Sequence, residues 1–190
     1  MKYRIFLAFA ALVALTACNK TDDNYVKNSQ TPAKTWLTCT MVIAPEALNS
    51  FDFFAKYYDA DGQVQSEQVT DWKDSQEQLS IYNTTPVKVW TKTVTVTKFP
   101  ATLGLLFEAK PKEGIDTNAA YTWAWAYKRD FKVVNASNGV LYTDPQIGEG
   151  RTFNASEGRL EEYLNNGMGK LFNCIYTIQS NGTFTTSQWQ

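Results

Sequence analysis

Hydrophobic and polar residues alternate with a period of two along most of the chain beyond Trp36. Successive side chains of a strand point to opposite faces, so this alternation predicts strands with two distinct faces. In 35–43 one face carries Leu37, Cys39, Met41 and Ile43. The same pattern recurs in 51–59, 63–70, 87–98, 103–110, 121–134, 140–143, 171–180 and 183–189. The chain therefore predicts eight or nine short strands.

Turn signals separate these segments. Asp59-Ala60-Asp61-Gly62 joins two of them, and its glycine supplies the positive φ that a tight turn requires. Asn138-Gly139 and Asn181-Gly182 each lie between β-forming runs, which is the strongest short-range signal for a hairpin. Pro100 has no N–H to donate to a ladder, so it predicts a strand end or an edge.

One segment has helical periodicity. Ser156 is a candidate N-cap for a helix over 157–166, which Gly167 and Gly169 would end. The remaining segments show no regular alternation of strands with helices. Together these patterns predict an all-β fold: an antiparallel, immunoglobulin-like β-sandwich with one short helix.

The N-terminus has the features of an export signal. Lys2 and Arg4 precede an apolar run over 5–15, which is shorter than the roughly 20 residues of a spanning helix. Leu15-Thr16-Ala17-Cys18 resembles the lipobox of bacterial lipoproteins. The resemblance implies that 1–17 is a signal peptide and that Cys18 is lipidated and becomes the first residue. The alternative is an ordinary signal peptide followed by a chance cysteine.

The residues after Cys18 suggest a location. Lys20, Asp22 and Asp23 resemble the export signal of Bacteroidetes-type surface lipoproteins. This resemblance implies an outer-membrane protein, held by its lipid anchor and exposed at the cell surface, with the periplasmic leaflet as the alternative. The polar composition of 18–33 predicts a tether, and 34–190 has the length of a single domain.

Charge argues against a nucleic-acid partner. The sequence has 18 basic and 19 acidic residues, and loss of Lys2 and Arg4 with the signal peptide changes the formal charge from -1 to -3. Contacts to phosphates need clustered Lys and Arg side chains, and no basic stripe stands out in the sequence. We therefore expect no binding to nucleic acid.

The sequence also argues against catalysis. It contains no histidine, which removes the commonest general base and the commonest transition-metal ligand. It lacks Ser-x-x-Lys, Gly-x-Ser-x-Gly and phosphate-binding glycine motifs. Asp59 and Asp61 resemble the start of a calcium loop, but no Glu stands at the twelfth position, so turn chemistry is favoured. We expect no enzyme, with neither catalytic nor metal-binding residues and no cofactor.

Two cysteines remain beyond the anchor. Cys39 and Cys174 each lie on an apolar strand face, and export brings the chain into an oxidising compartment. A disulfide between them would close a long loop and stabilise the fold by up to about 4 to 5 kcal/mol. The alternative is two buried free thiols, because cysteine packs well as a small hydrophobe.

An aromatic run is the main candidate for binding. Alternation places Tyr121, Trp123, Trp125 and Tyr127 on one face of a strand. Such rings commonly fill a core. The alternative is an exposed platform on which sugar rings stack, because exposed aromatic patches usually mark binding sites.

Two functions follow from these observations. In the first, the anchored domain is a non-catalytic binding module, with a glycan at the cell surface as a candidate ligand. In the second, it is a structural or assembly subunit that binds another envelope protein through a sheet edge. The Thr-rich segment from Val87 to Thr97 is the first candidate for such an edge.

Overall fold

The computed structural model describes residues 31–76, 86–148 and 150–190. Within these ranges the chain forms two antiparallel β-sheets that pack face to face, so the predicted all-β sandwich is confirmed. The signal peptide, Cys18 and most of the tether lie outside the described residues.

The first sheet contains β1 (Pro32–Ile43), β4 (Lys73–Ser75), β5 (Val87–Val96), β7 (Tyr121–Asn135), β8 (Val140–Ile147) and β9 (Arg151–Ala155). Its order is β4-β5-β1-β7-β8, and β9 also pairs with β7. The second sheet contains β2 (Phe51–Tyr58), β3 (Val64–Gln68), β6 (Ala101–Pro111), β10 (Lys170–Ile178) and β11 (Phe184–Ser187). Its order is β11-β10-β6-β2-β3. The short strands β4 and β9 were not predicted.

The predicted hairpins are confirmed. Between β2 and β3, one carboxylate oxygen of Asp59 accepts hydrogen bonds from the backbone N–H groups of Asp61 (3.0 Å) and Gln63 (2.8 Å). Hydrogen bonds to the Asp59 carboxylate lower its pKa, and the bond from the Gln63 N–H contributes most, before the bond from the Gln65 side chain. The other two turns place Asn138 (φ 61°) and Gly182 (φ 85°) in the left-handed region. Asp59 is therefore a turn residue, as its spacing indicated.

The predicted helix begins later than expected. Gly158 adopts a φ of 67° and its N–H donates to the carbonyl of Asn118 (2.9 Å), so a helix cannot run through this position. The helix α2 covers only Leu160–Tyr163 and continues as a π-helical turn over Leu164–Met168. The N-cap position is Arg159, so the prediction of Ser156 as the N-cap was wrong. A second short helix, α1 (Ala47–Ser50), precedes β2.

The core lies between the sheets and is rich in aromatic rings. The face of β1 predicted from alternation is buried, with Leu37, Cys39, Met41 and Ile43 at most 2 % exposed. Phe131 of β7 stacks on Tyr176 of β10 with their ring centroids 3.8 Å apart, which joins the two sheets directly. This shared core fixes the distance between β7 and β10.

The segment after β11 folds back over the outer face of the second sheet. Trp189 stacks on Tyr58 at 4.7 Å and packs against Leu106 and Ile175. The Asn173 side chain donates to the Trp189 carbonyl (2.9 Å) and accepts from its N–H (2.7 Å). These two bonds hold the C-terminal segment beside the start of β10.

The Thr-rich strand β5 pairs with β1 along one side, from Lys88 to Val96. On its other side β4 pairs with Val87–Val89, and within the described ranges no strand pairs with the remainder of that side. Thr91 and Thr93 turn outward, where their hydroxyls hydrogen-bond to those of Thr40 and Thr38. Among the described residues, the later part of β5 is therefore an edge of the first sheet, as its sequence suggested.

Candidate functional site

The aromatic run of β7 faces the core. Trp123, Trp125 and Tyr127 are 4, 6 and 8 % exposed, and Tyr121 is half-buried with its hydroxyl bonded to the Asp116 carbonyl (2.8 Å). Trp123 stacks on Phe153 of β9 at 4.7 Å. These rings lie against the second sheet, so they do not form an exposed sugar-binding platform.

Cys39 and Cys174 lie on facing sheets as buried thiols that are not joined to one another, so the predicted disulfide between them is wrong. Arg129 stands opposite Cys39 on the neighbouring strand, and its guanidinium donates to the Cys174 sulfur at 3.5 Å. Arg129, and not Cys39, is therefore the residue of the first sheet that hydrogen-bonds to Cys174. Burial raises the pKa of the Cys39 thiol, which keeps it protonated.

A cleft opens between β7 and β10, with a volume of about 230 Å³. We call it the basic cleft, and it is lined by Tyr127, Arg129, Arg151, Gly167, Lys170, Leu171, Phe172, Asn173, Cys174 and Gln188. Three of these side chains are cationic, and none of the described residues lining the cleft is acidic. The cleft therefore favours a negatively charged ligand.

Arg129 forms the floor of the basic cleft. It is 3 % exposed, and its guanidinium pairs with the Asp144 carboxylate at 2.6 Å. The Tyr176 hydroxyl donates to the same carboxylate oxygen at 3.2 Å, and desolvation by burial raises the pKa of this phenol. Because Asp144 already compensates the charge of Arg129, the floor is close to neutral, and these hydrogen bonds hold its side chains in place.

Arg151 and Lys170 form the rim. Both are exposed, and they approach from opposite sheets, Arg151 at the start of β9 and Lys170 at the start of β10. The Arg151 guanidinium lies 5.5 Å from the centre of the Trp125 ring. Neither rim cation forms a salt bridge within the described ranges. The surplus positive charge of the cleft is therefore at its mouth.

The backbone around the cleft is closely fitted. β9 pairs with β7 over 121–125 and β8 pairs with it over 128–134. Between them, the Gly148 N–H donates to the Tyr127 carbonyl (2.7 Å), and a Cβ at Gly148 would overlap the Tyr127 ring. The glycine thus lets the chain cross directly over the ring that forms one wall.

Sequence reasoning missed this cleft, although one signal was present. The alternation in β7 that turns Tyr127 and Phe131 inward also turns Arg129 inward, and a charged residue at a core position needs a partner. Arg151 and Lys170 carry no comparable signal, because they belong to segments that come together only in the folded chain.

Other candidate features carry less chemistry. A cavity of about 540 Å³ lies among the turns at one end of the sandwich, and its charged lining residues are Asp61 and Lys98, one of each sign. The carboxylates of Glu161 and Glu162 are exposed, and Glu162 pairs with Arg159. Within the described ranges no group of side chains is arranged to hold a metal ion.

The helices of the described residues are too short and too polar to cross a bilayer. Comparison with known proteins adds no assignment: no family model matches the chain, and no curated protein matches it significantly. The basic cleft is accordingly the feature from which a function can be argued.

Proposed function

We propose that the protein is a lipid-anchored, non-catalytic binding module of the bacterial outer membrane, exposed at the cell surface, and that its ligand binds in the basic cleft. The observation that carries the binding proposal is the cleft itself. It combines a buried, compensated arginine with two exposed cations and two aromatic walls. Ligand sites typically join apolar walls to a few well-placed polar groups in this way.

The anchoring proposal rests on the sequence of the first two dozen residues. Diacylglyceryl modification of Cys18 would supply more than one acyl chain, which is what stable membrane attachment requires. The 14 residues from Cys18 to Thr31 could extend roughly 45 Å. The domain would then be held near the membrane while the cleft stays accessible to ligands in solution.

A Cys18→Ala variant tests the anchor. We expect the unaltered chain in the membrane fraction of cells and the variant in the soluble exported fraction. Proteolysis of intact cells then distinguishes the two leaflets, because only a surface-exposed domain is cut. A variant that has lost residues 1–17 and still stays in the membrane fraction would refute lipidation at Cys18, and protection from protease in intact cells would refute surface exposure.

Ligand binding is tested with the full chain purified in detergent. A panel of soluble glycans and peptides of both charge signs is titrated by calorimetry. We expect at least one compound to bind saturably and the Arg151→Gln/Lys170→Gln double variant to weaken it. The matched control is Lys128→Gln/Arg159→Gln, which removes one exposed lysine and one exposed arginine outside the cleft.

Two results would overturn the binding proposal. One is the absence of saturable binding across the whole panel. The other is equal weakening by the cleft variant and the control variant, because a loss that depends only on net charge does not identify a site.

A further inference from the structure

We infer that the basic cleft binds one acidic sugar unit, a pyranose that carries a carboxylate, within a larger glycan. This inference rests on the proposed binding function and names the chemical class of the ligand. It follows from the size of the cleft, from the position of its surplus charge, and from the balance of hydrogen-bond donors and acceptors along its walls.

Size limits the ligand to a small unit. The cleft volume of about 230 Å³ is below the range of about 300 to 1,000 Å³ in which drug-sized ligands bind. The exposed rim residues Arg151 and Lys170 flank the mouth, so a chain that extends beyond one bound unit would continue into solvent. One monosaccharide unit of a longer glycan suits this shape.

The charge distribution places the carboxylate at the mouth. Asp144 pairs with Arg129 at 2.6 Å, so the floor has little charge left for a ligand. Arg151 offers a planar donor fork that matches a carboxylate in bidentate geometry, and Lys170 adds a point charge from the opposite sheet. A single carboxylate between these two side chains would neutralise part of the surplus charge of the rim.

The walls favour a sugar over a bare anion. Tyr127 and Phe172 line the cleft while packing on each other, with ring centroids 5.0 Å apart and 8 % and 5 % of their surface exposed, so each offers only a narrow apolar edge that a C–H group of a pyranose can contact. Gln188 is exposed at the same site and supplies an amide to a hydroxyl group. An inorganic anion would use the cations alone and leave these walls without a partner.

The hydrogen-bonding groups favour a sugar over a peptide. Among the polar side chains of the lining, Arg151 and Lys170 only donate and Gln188 both donates and accepts, whereas the side-chain oxygen of Asn173 already accepts the N–H of Trp189. A peptide brings backbone N–H groups that need acceptors. Sugar hydroxyls can accept as well as donate, and a carboxylate only accepts, so both match a lining of donors.

The test compares four probes on the full chain in detergent. They are short oligomers of galacturonate and glucuronate, the neutral galactose and glucose oligomers of the same lengths, sodium sulfate, and an oligoglutamate peptide. Calorimetry gives the affinities, and Trp125, whose ring lies beside the Arg151 guanidinium, provides a fluorescence signal at the rim. We expect an acidic oligosaccharide to bind saturably, at least about tenfold more tightly than its neutral counterpart and than sulfate.

Variants locate the binding. We expect Arg151→Gln and Lys170→Gln each to weaken the acidic oligosaccharide about three- to fivefold, the effect of one partly solvated charge contact. The controls Arg159→Gln and Lys128→Gln remove an exposed cation elsewhere and should change the affinity less than twofold. All four positions are exposed, so the variants should fold.

The outcomes separate this inference from the proposed function. If oligoglutamate or a neutral glycan binds in the cleft and both acidic oligosaccharides do not, the binding module remains and the acidic sugar is refuted. Sulfate binding as tightly as the acidic sugar would reduce the cleft to a general anion site and also refute the inference. Acidic-sugar binding that the rim variants leave unchanged would place the ligand elsewhere on the protein.

Discussion

Replacing Trp123 with alanine tests whether the aromatic run of β7 is structural. Its side chain is 4 % exposed and packs against three other rings. The centroid distances are 5.6 Å to Phe51, 5.6 Å to Phe53 and 4.7 Å to Phe153. Because the partners come from both sheets, the truncation would open a cavity across the middle of the sandwich.

The expected loss is large. Truncating a buried Phe or Trp to Ala typically costs about 3 to 5 kcal/mol. Aromatic pairs add about 0.5 to 1.5 kcal/mol each beyond burial, so three such contacts place Trp123 toward the upper part of that range. Native domains are stable by about 5 to 15 kcal/mol, so Trp123→Ala would remove a large share of the stability.

Urea unfolding of the full chain, followed by far-ultraviolet circular dichroism, measures this loss. The matched control is Trp36→Ala, because Trp36 is half-buried on the outer face of the first sheet, with Lys34 and Lys132 about 5.5 Å from its ring centre. We expect the control to cost about 1 kcal/mol. Equal losses for the two variants, or a loss below about 1 kcal/mol for Trp123→Ala, would refute the assignment of Trp123 to the core.

Three other positions, Asp144, Gly148 and Cys39, give predictions that unfolding experiments can check. Asp144→Ala leaves the buried charge of Arg129 without its carboxylate, so urea unfolding should show a loss of about 3 kcal/mol; a loss below about 1 kcal/mol would contradict the buried pair. Gly148→Ala forces a methyl group against the Tyr127 ring and should cost about 1 to 3 kcal/mol by the same assay, whereas unchanged stability would show that the loop can move away. Burial raises the pKa of Cys39, so the folded chain keeps a proton that the unfolded chain loses above about pH 8.5, and the unfolding free energy should fall there by about 1.4 kcal/mol per pH unit. Cys39→Ala should show a shallower fall, and an identical slope would contradict a raised pKa.

The local features of the fold could be predicted because they depend on neighbours in sequence. Turns such as Asp59 to Gly62 are closed by hydrogen bonds between residues at most four apart, so their chemistry is visible in a short window. The prediction of a helix over 157–166 was wrong at its start, because that start depends on a residue far away in the sequence. Its start is displaced by the bond from Gly158 to Asn118, a residue 40 positions earlier that no local pattern connects to it.

Alternation determined which residues share a face of a strand, but it could not determine which face turns inward. Trp123 and Trp125 lie on one side of β7 whether that side is a core or a platform, and burial was decided only when the second sheet covered it. The same holds for Cys39 and Cys174. Both were expected on apolar faces, yet the inward position of Arg129 determined the neighbour of Cys174.

Of these features, the basic cleft depends most on the tertiary structure. Arg129 could be recognised as an inward charge from the period of two, but Arg151 and Lys170 are exposed residues at the starts of two other strands. Their juxtaposition depends on how β9 and β10 meet across the sandwich. The sequence by itself determined the strands, the hairpins and the shared faces, because these follow from contacts between near neighbours. Only the tertiary structure decided what is buried and which charges meet, because those contacts join residues far apart along the chain.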